Sequence, residues 1–325
     1  MSNQVEAEQT GDSLDSQTDT IIRTDGLTRT FKEVHAVEDL DLSIRRGELF
    51  GLVGPDGAGK TTTLRLLAGL LNISAGSASL AGHDLGSQAE AVKPLIGYMA
   101  QQFSLYGELT VMENLSFFAD LFNVPRAEQA GRMQELLAFA GLSDFTGRRA
   151  ANLSGGMQKK LALACTLIHR PQVLLLDEPT TGVDPVSRRE FWDILTGLHV
   201  QGVTILVSTP YMDEADRCSQ VGLMYAGRLV VCDTPRRIRS RVQAELIQLI
   251  PGDWEAAQSL LRDLPGVQEM QTYGEYLHLL VDDAEKRLPK VKKALKKADI
   301  PFRGLRAAPA RMEEAFISLI RGLEE

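Results

Sequence analysis

The stretch Leu49-Phe-Gly-Leu-Val-Gly-Pro-Asp-Gly-Ala-Gly-Lys-Thr-Thr-Thr63 decides the fold of this chain. Its apolar first part, Leu49 to Val53, predicts a buried strand, and the residues from Lys60 onward predict a helix. The glycine-rich loop between them completes the pattern G-x-x-x-x-G-K-[ST]. An ordinary glycine-rich turn is the alternative, but the strand–loop–helix context favours a phosphate-binding P-loop.

The residue types of the loop suit this chemistry. Glycines let the backbone turn several N–H groups towards one point, and the following helix directs its N-terminal amides there as well. Lys60 adds a cation for phosphate, and the Thr61 hydroxyl can bind Mg²⁺. The residues expected to contact a nucleotide are Gly54, Pro55, Asp56, Gly57, Ala58, Gly59, Lys60, Thr61 and Thr62.

Length and composition are those of a globular protein of one to three domains. The chain has 325 residues, of which 44 % are hydrophobic and 24 % charged,. A net charge of −8 argues against an unassisted grip on nucleic acid or anionic lipid,. Residues 1–20 contain acids but no Lys or Arg, which predicts a disordered acidic tail,.

No feature of the sequence predicts a cysteine-based site or a membrane span. The three cysteines, Cys165, Cys218 and Cys232, are far apart and form no C-x-x-C pair, which argues against a metal site or a disulfide framework,. The N-terminus lacks the basic and apolar regions of a signal peptide. No apolar run reaches the 18 or so residues that a spanning helix needs, so a membrane role would require a partner chain.

Strands and helices alternate along residues 21–239, which predicts an α/β domain with a mostly parallel sheet. Apolar runs such as Pro171–Leu176 and Val203–Val207 are typical of strands buried on both faces. Ligands of such sheets bind at the carboxyl ends of the strands. A helical insert is expected at about 104–165. Residues 240–325 follow the order β-α-β-β-α-β, which predicts a small ferredoxin-like α+β domain, and its lysine-rich helix is interpreted as a solvated face.

Two further stretches carry chemistry. Asp177 follows an apolar strand, where an acid near a P-loop can hold Mg²⁺, and Glu178 beside it is the candidate general base. Some twenty residues earlier, Leu153-Ser-Gly-Gly-Met-Gln158 resembles a helix start with Ser154 as its cap,.

The combination of these motifs over residues 21–238 resembles the ATP-binding cassette (ABC) ATPases. The resemblance implies bound ATP and Mg²⁺, with Thr61, Gln101 and Asp177 near the metal and Glu178 and Gln101 as catalytic residues. It implies that Phe31 stacks on adenine and that Asp184 belongs to the D-loop. The signature residues Leu153, Ser154, Gly155, Gly156 and Gln158 would bind ATP held by an opposite subunit, so that two subunits enclose two nucleotides.

Two positions depart from the family pattern. Asp56 stands where the family usually has Asn and adds like charge near a triphosphate, unless its side chain points away. Pro210 stands where the family has a His that contacts the γ-phosphate, and proline has neither a side-chain donor nor a backbone N–H. We therefore expect poor hydrolysis at this chain's own site and an asymmetric pair with a second ATPase.

The C-terminal module, with Pro309-Ala-Arg-Met-Glu-Glu-Ala-Phe316, is similar to that of daunorubicin-resistance-type ATPases of ABC-2 exporters. This implies a cytoplasmic subunit that drives efflux through a separate membrane permease, peripheral on the inner face of the membrane. The expected partners are that permease and a second ATPase subunit, identical or different, but no nucleic acid. The alternatives are a non-hydrolysing regulator or scaffold and a soluble ABC ATPase without transport.

Overall fold

A computed structural model describes residues 19–102, 105–241, 245–309 and 311–324. The predicted acidic tail therefore lies almost wholly outside the described residues, as do two residues of the apolar loop after Gln102. Contacts between Cα atoms divide the chain into two compact units, Met1–Asp233 and Thr234–Glu325.

The described residues form the following secondary structure. The strands are β1 (Thr20–Phe31), β2 (Val34–Arg45), β3 (Leu49–Val53), β4 (Ala75–Leu80), β5 (His83–Asp84), β6 (Ile96–Met99), β7 (Val173–Asp177), β8 (Thr204–Thr209), β9 (Gln220–Tyr225), β10 (Arg228–Asp233), β11 (Glu245–Pro251), β12 (Val267–Tyr273), β13 (Tyr276–Val281) and β14 (Phe302–Ala308). The helices are α1 (Lys60–Leu67), α2 (Ala89–Val92), α3 (Val111–Leu121), α4 (Arg126–Ala140), α5 (Gly155–Leu167), α6 (Pro185–Val200), α7 (Met212–Ala215), α8 (Pro235–Ser240), α9 (Trp254–Arg262), α10 (Ala284–Lys297) and α11 (Met312–Glu324).

A six-stranded sheet forms the centre of the first unit. Its order is β10-β9-β3-β8-β7-β6, and every pair is parallel except β9 with β10. Strands β3, β7 and β8 are buried along their whole length, as their apolar runs predict,. The mostly parallel α/β fold predicted from the sequence is confirmed.

The strand order brings three carboxyl ends together. Val53 at the end of β3 pairs with Thr209 at the end of β8, and Asp177 at the end of β7 pairs with Ser208. The P-loop, the acid pair and the segment before Pro210 therefore start from neighbouring points at one edge of the sheet, where ligands of such folds bind.

A second, antiparallel sheet has the order β2-β1-β4-β5. Strand β1 continues to Phe31, beyond the Ile21–Leu27 strand that the sequence predicts, because its last residues pair with the start of β2. Apolar residues of this sheet, of β3 and of α1 share one core cluster. Helix α1, which begins at Lys60, is thereby fixed against both sheets.

The helical insert consists of α3, α4 and α5 with a core of its own. Helix α3 begins with a capping box, in which the Thr110 hydroxyl accepts from the Glu113 N–H and the Glu113 carboxylate accepts from the Thr110 N–H,. The helical pattern from Val111 to Gly141 is interrupted before Pro125, where proline cannot supply a backbone N–H to continue the helix,.

The second unit contains an antiparallel sheet of order β12-β13-β11-β14, and its elements follow the expected β-α-β-β-α-β succession,. Residues of α9 and α10 pack on the sheet in a separate apolar core. The unit starts at Thr234, slightly before the boundary expected at residue 240, because α8 contacts α11.

The lysine-rich face of α10 is exposed, as interpreted from the sequence, at Lys290, Lys292, Lys293, Lys296 and Lys297. Among the helices of the described residues, none is both long and apolar enough to cross a bilayer.

Candidate functional site

The P-loop joins β3 to α1 through a turn that requires glycine at two positions. A Cβ on Gly54 would lie 2.2 Å from the Met224 carbonyl oxygen. Gly59 has φ +101°, and a Cβ there would lie 2.5 Å from the Ala36 carbonyl oxygen. Only glycine fits both places, so the loop follows a path set by the surrounding backbone.

Lys60 is buried under this loop. Its ammonium group donates to the carbonyl oxygens of Gly54 at 2.8 Å and Pro55 at 3.0 Å, and lies 3.4 Å from a carboxylate oxygen of Glu178. The side chain is 3 % exposed. A fixed cation at the start of a helix gives the site the positive potential that a polyphosphate requires.

The other loop residues differ in their exposure. Asp56 and Gly57 are exposed, Ala58 is buried, and Thr61 and Thr62 are half-buried. The exposure of Asp56 leaves both expectations for its carboxylate as predictions.

Asp177 and Thr61 form an oxygen-rich centre beside Lys60. One Asp177 oxygen, Oδ1, accepts from the Thr61 hydroxyl at 2.9 Å and from the Ser208 hydroxyl at 2.8 Å. The other, Oδ2, is buried and has no hydrogen-bond partner within the described part of the chain. Hydroxyl and carboxylate oxygens are the donors that Mg²⁺ prefers, so the unpartnered oxygen fits a metal ion held here with Thr61.

Glu178 is held in place on every side. Its N–H donates to the Ser208 hydroxyl at 3.0 Å, and its carboxylate accepts from the Gln101 amide at 2.8 Å and the Thr181 hydroxyl at 3.3 Å. The residue has φ +46°, a conformation that costs of order 1–3 kcal/mol outside glycine and persists where the surroundings enforce it. A fixed carboxylate beside the phosphate-binding loop can accept a proton from an attacking water.

The signature residues divide into exposed and buried positions at the start of α5. Ser154 caps the helix by accepting from the Met157 N–H at 3.3 Å, and it is exposed together with Gly155. Gly156 is buried, and a Cβ there would lie 2.4 Å from the Ser187 Cβ. Gly155 thus faces open space, whereas Gly156 permits close packing of α5 on α6.

The Gln101 loop, the start of α5 and the D-loop meet around a cavity of about 270 Å³. Gln101, Gly155, Gln158, Lys159 and Gly182 are among the residues that line it. Gln158 also donates to the Ala150 carbonyl at 3.0 Å, which fixes the segment before Leu153.

Lys159 is a member of this cavity that motif reasoning missed. Its ammonium group donates to the Gln101 carbonyl at 2.9 Å. Burial lowers the pKa of Lys159, although the charges of Asp177 and Glu178 act in the opposite direction. Nothing in the spacing of Lys159 and Lys160 distinguishes the lysine that lines this cavity from the one that pairs with Glu190.

The remaining expected residues lie at the ends of three different elements. Asp184 caps α6 by accepting from the N–H groups of Val186 and Ser187, and the bond from Ser187 is the main cause of its lowered pKa. Pro210 directly follows β8. Phe31 ends β1 with an exposed ring, and the Arg29 guanidinium lies 4.4 Å from the ring centre.

Comparison with known proteins identifies the family of this chain. A family model described as ABC transporter matches residues 37–181. A probable multidrug ABC transporter ATP-binding protein of Escherichia coli is 41 % identical over 94 % of this chain but only 53 % of the relative. The chain therefore spans about half the length of that relative.

Other relatives match over nearly their whole length. A daunorubicin resistance ATP-binding protein of Streptomyces coeruleorubidus is 36 % identical over 93 % of this chain and 96 % of the relative. A Nod factor export ATP-binding protein of Ralstonia nicotianae is 34 % identical over 92 % and 93 %.

Solved structures agree on the fold. The cbiO1 protein of Clostridium perfringens, part of an ABC transporter complex, is 26 % identical with a TM-score of 0.64, covering 76 % of this chain and 96 % of that one. A dimeric ATP-binding cassette bound to ADP and Pi is 25 % identical with a TM-score of 0.60, covering 66 % and 98 %. With its P-loop, acid pair and signature helix arranged around one edge of a parallel sheet, this chain belongs to the family of ABC transporter ATP-binding proteins.

Proposed function

We propose that this chain is the ATP-binding and ATP-hydrolysing subunit of an ABC-2-type exporter, and that it drives efflux through a separate membrane permease. The observation that carries the proposal is the hydrogen bond between Thr61 and Asp177 together with the ion pair between Lys60 and Glu178, both at one edge of the sheet. Relatives named for multidrug transport, daunorubicin resistance and Nod factor export support an export role.

In this proposal each residue has a defined task. The P-loop amides and Lys60 bind the phosphates, and Thr61 and Asp177 hold Mg²⁺, which would neutralise charge on the phosphates. Glu178 orients the attacking water and accepts its proton, and Gln101 holds the Glu178 carboxylate in place. Phe31 offers an exposed ring for the adenine.

Hydrolysis at this chain's own site is proposed to be slow. Pro210 offers no donor at the position where the family pattern has His. Loss of one positioned donor to developing charge typically costs on the order of 10²–10³ in rate. This chain would therefore bind ATP but hydrolyse it slowly, and ATP bound at its own site would mainly hold a dimer closed.

The exposed Ser154 and Gly155 support an asymmetric pair. These groups stand at the start of a helix, where free amides favour an anionic ligand. Because they are exposed, a nucleotide held by the P-loop of another subunit could contact them. They would complete the site of a second ATPase subunit that carries the His. The dimeric cassette bound to ADP and Pi has the same fold.

An exposed apolar surface on the helical insert supports a permease partner. We call it the insert patch, formed by Tyr106, Phe117 and Leu121, which are between 38 % and 58 % exposed; Phe117 and Leu121 lie one turn apart on the same face of α3. Tyr106 and Phe117 contact each other edge to face with ring centroids 4.6 Å apart. Contiguous exposed apolar side chains mark interaction sites, and docking here would place the chain at the inner face of the membrane.

Two measurements test the proposal. The wild-type chain should bind Mg-ATP, and Lys60→Ala should weaken that binding at least about tenfold, since a charge-assisted bond to phosphate is lost. The chain should also co-purify with a polytopic membrane protein. Firm ATP binding without any such partner would favour a soluble ATPase.

A non-hydrolysing regulator is the second candidate, and Pro210 is the observation that favours it. ATP turnover of the purified chain and of its Pro210→His variant distinguishes the two. A regulator would bind ATP, yet neither form would show turnover that is lost when Glu178 is replaced by Gln.

A further inference from the structure

A buried carboxylate next to Pro210 connects three segments of the site. Glu214, on α7, is 1 % exposed. Its Oε1 accepts from the Thr180 hydroxyl at 2.8 Å and from the Arg188 Nε at 2.6 Å. Its Oε2 accepts from the Thr209 hydroxyl at 2.6 Å. A buried carboxylate of this kind is stabilised only while a cation and hydrogen-bond donors satisfy it.

The donors come from three functionally distinct places. Thr180 lies two residues after Glu178, Thr209 is the last residue of β8, and Arg188 lies in the first turn of α6, which begins after Asp184. All three donors bond the Glu214 carboxylate, so a displacement of one segment that moves this carboxylate also changes its hydrogen bonds to the other two,.

Arg188 connects buried Glu214 to the exposed carboxylate of Asp213. Its Nη2 donates to both oxygens of Asp213, at 2.7 and 2.8 Å, and its guanidinium lies 4.3 Å from the centre of the Tyr211 ring. Inside the turn, the Tyr211 N–H donates to the Thr209 hydroxyl at 3.0 Å. The backbone of residues 209–211, here called the switch segment, is thus fixed without any contribution from the side chain at 210.

We propose that Glu214 and Arg188 are positioning residues, which hold the switch segment against the end of β7 and couple it to the D-loop at the start of α6. The idea rests on the proposed function in that position 210 faces the phosphate of bound ATP. It goes further, because it assigns the orientation of position 210 to Glu214 and Arg188, to which the proposed function gives no contact with nucleotide or metal.

Backbone amide exchange of the full chain tests this coupling directly. We expect Glu214→Gln to raise the exchange rates of residues 209–216 and also of residues 181–190 by about tenfold or more, since a charge-assisted bond inside a cooperative unit is lost. Asp213→Asn is the matched control, because it removes only the exposed contact of Arg188. Its effect on residues 181–190 should stay within about twofold.

A kinetic comparison adds a readout that a merely structural role would not move. In a Pro210→His background, Glu214→Gln should lower kcat about tenfold while KM for ATP stays within about twofold, and Arg188→Lys should retain part of the activity. Should Glu214→Gln fail to fold, Thr180→Val removes one hydroxyl and should still raise exchange in residues 209–216.

The inference is overturned if Glu214→Gln changes exchange no more than Asp213→Asn, or raises it in residues 209–216 alone. If Pro210→His brings no gain in turnover, the proposed reason for slow hydrolysis is wrong, and the exchange comparison alone decides the positioning role.

Discussion

At the scale of single residues, Asp177 has two oxygens in different situations. One is shared by the hydroxyls of Thr61 and Ser208, and the other is buried without a partner among the described residues. A buried, unsatisfied carboxylate oxygen is costly unless a ligand completes it. In the proposed Mg²⁺ site a divalent cation would complete this oxygen, and metal binding would then be coupled to nucleotide binding at Thr61.

Asp177→Asn should therefore weaken ATP binding in the presence of Mg²⁺ much more than in its absence. We expect a loss of about tenfold or more in the Mg²⁺-dependent part of the affinity, because the amide is a poorer ligand for a hard cation. Titration of ATP with and without Mg²⁺ measures this. The control is Asp84→Asn, which changes an exposed carboxylate bonded to Ser87. Equal losses in both metal conditions would contradict the assignment.

Sequence motifs could predict the charged residues expected to contact phosphate or metal. They could not predict the residues that keep those side chains in position. Lys60, Asp177 and Glu178 stand at fixed places in strand–loop–helix patterns, so local order suffices to find them. Lys159 and Glu214 reach the site only through pairing of β7 with β8 and packing of α5, which are long-range contacts. Position in the sequence gives no signal for either.

At the scale of elements, Lys159 connects α5 to the loop after β6. Its ammonium group donates to the Gln101 carbonyl, while the Gln101 side chain donates to Glu178. A movement of α5 would therefore reach the Glu178 carboxylate through two consecutive hydrogen bonds.

Lys159→Met should lower the turnover of a competent pair about tenfold while leaving ATP affinity nearly unchanged, because loss of one charged donor frees the Gln101 loop. Steady-state kinetics with an ATP-binding titration separate the two effects. Lys160→Met is the matched control, since Lys160 is also partly buried on α5 but pairs with Glu190 rather than with the Gln101 loop. Similar losses in the two variants would argue against the connection.

The insert patch gives a second prediction at this scale. The double substitution Tyr106→Ser with Phe117→Ser should reduce co-purification with the permease at least about tenfold, because two aromatic anchors leave the interface. Its ATP affinity should match the wild type. Val200→Ser, which removes another exposed apolar side chain outside the patch, should have no effect on the partner. Retention of the permease by the double variant would exclude this surface.

Element boundaries show where local patterns are insufficient. The alternation of strands and helices in the first unit and the β-α-β-β-α-β succession of the second follow from local patterns, and the structure contains both. The extension of β1 to Phe31 depends on pairing with β2, and the start of the second unit depends on contact between α8 and α11. Both depend on contacts between residues distant in the chain, which local pattern does not contain.

At the scale of the whole molecule, we propose a cassette that binds ATP and hydrolyses it slowly on its own. Lys60, Thr61, Asp177 and Glu178 are connected by one hydrogen bond and one ion pair, whereas Pro210 supplies no donor at its position. The exposed signature residues remain available to another subunit. A complete machine would then consist of this chain, a second ATPase with the His, and the permease.

ATP turnover of the purified chain, measured side by side for the wild type and Pro210→His, tests whether Pro210 makes hydrolysis at this chain's own site slow. We predict slow turnover by the wild type and a rise on the order of 10²–10³ in the variant, which is lost again when Glu178→Gln is added. Brisk turnover by the wild-type chain alone, abolished by Glu178→Gln, would contradict the account.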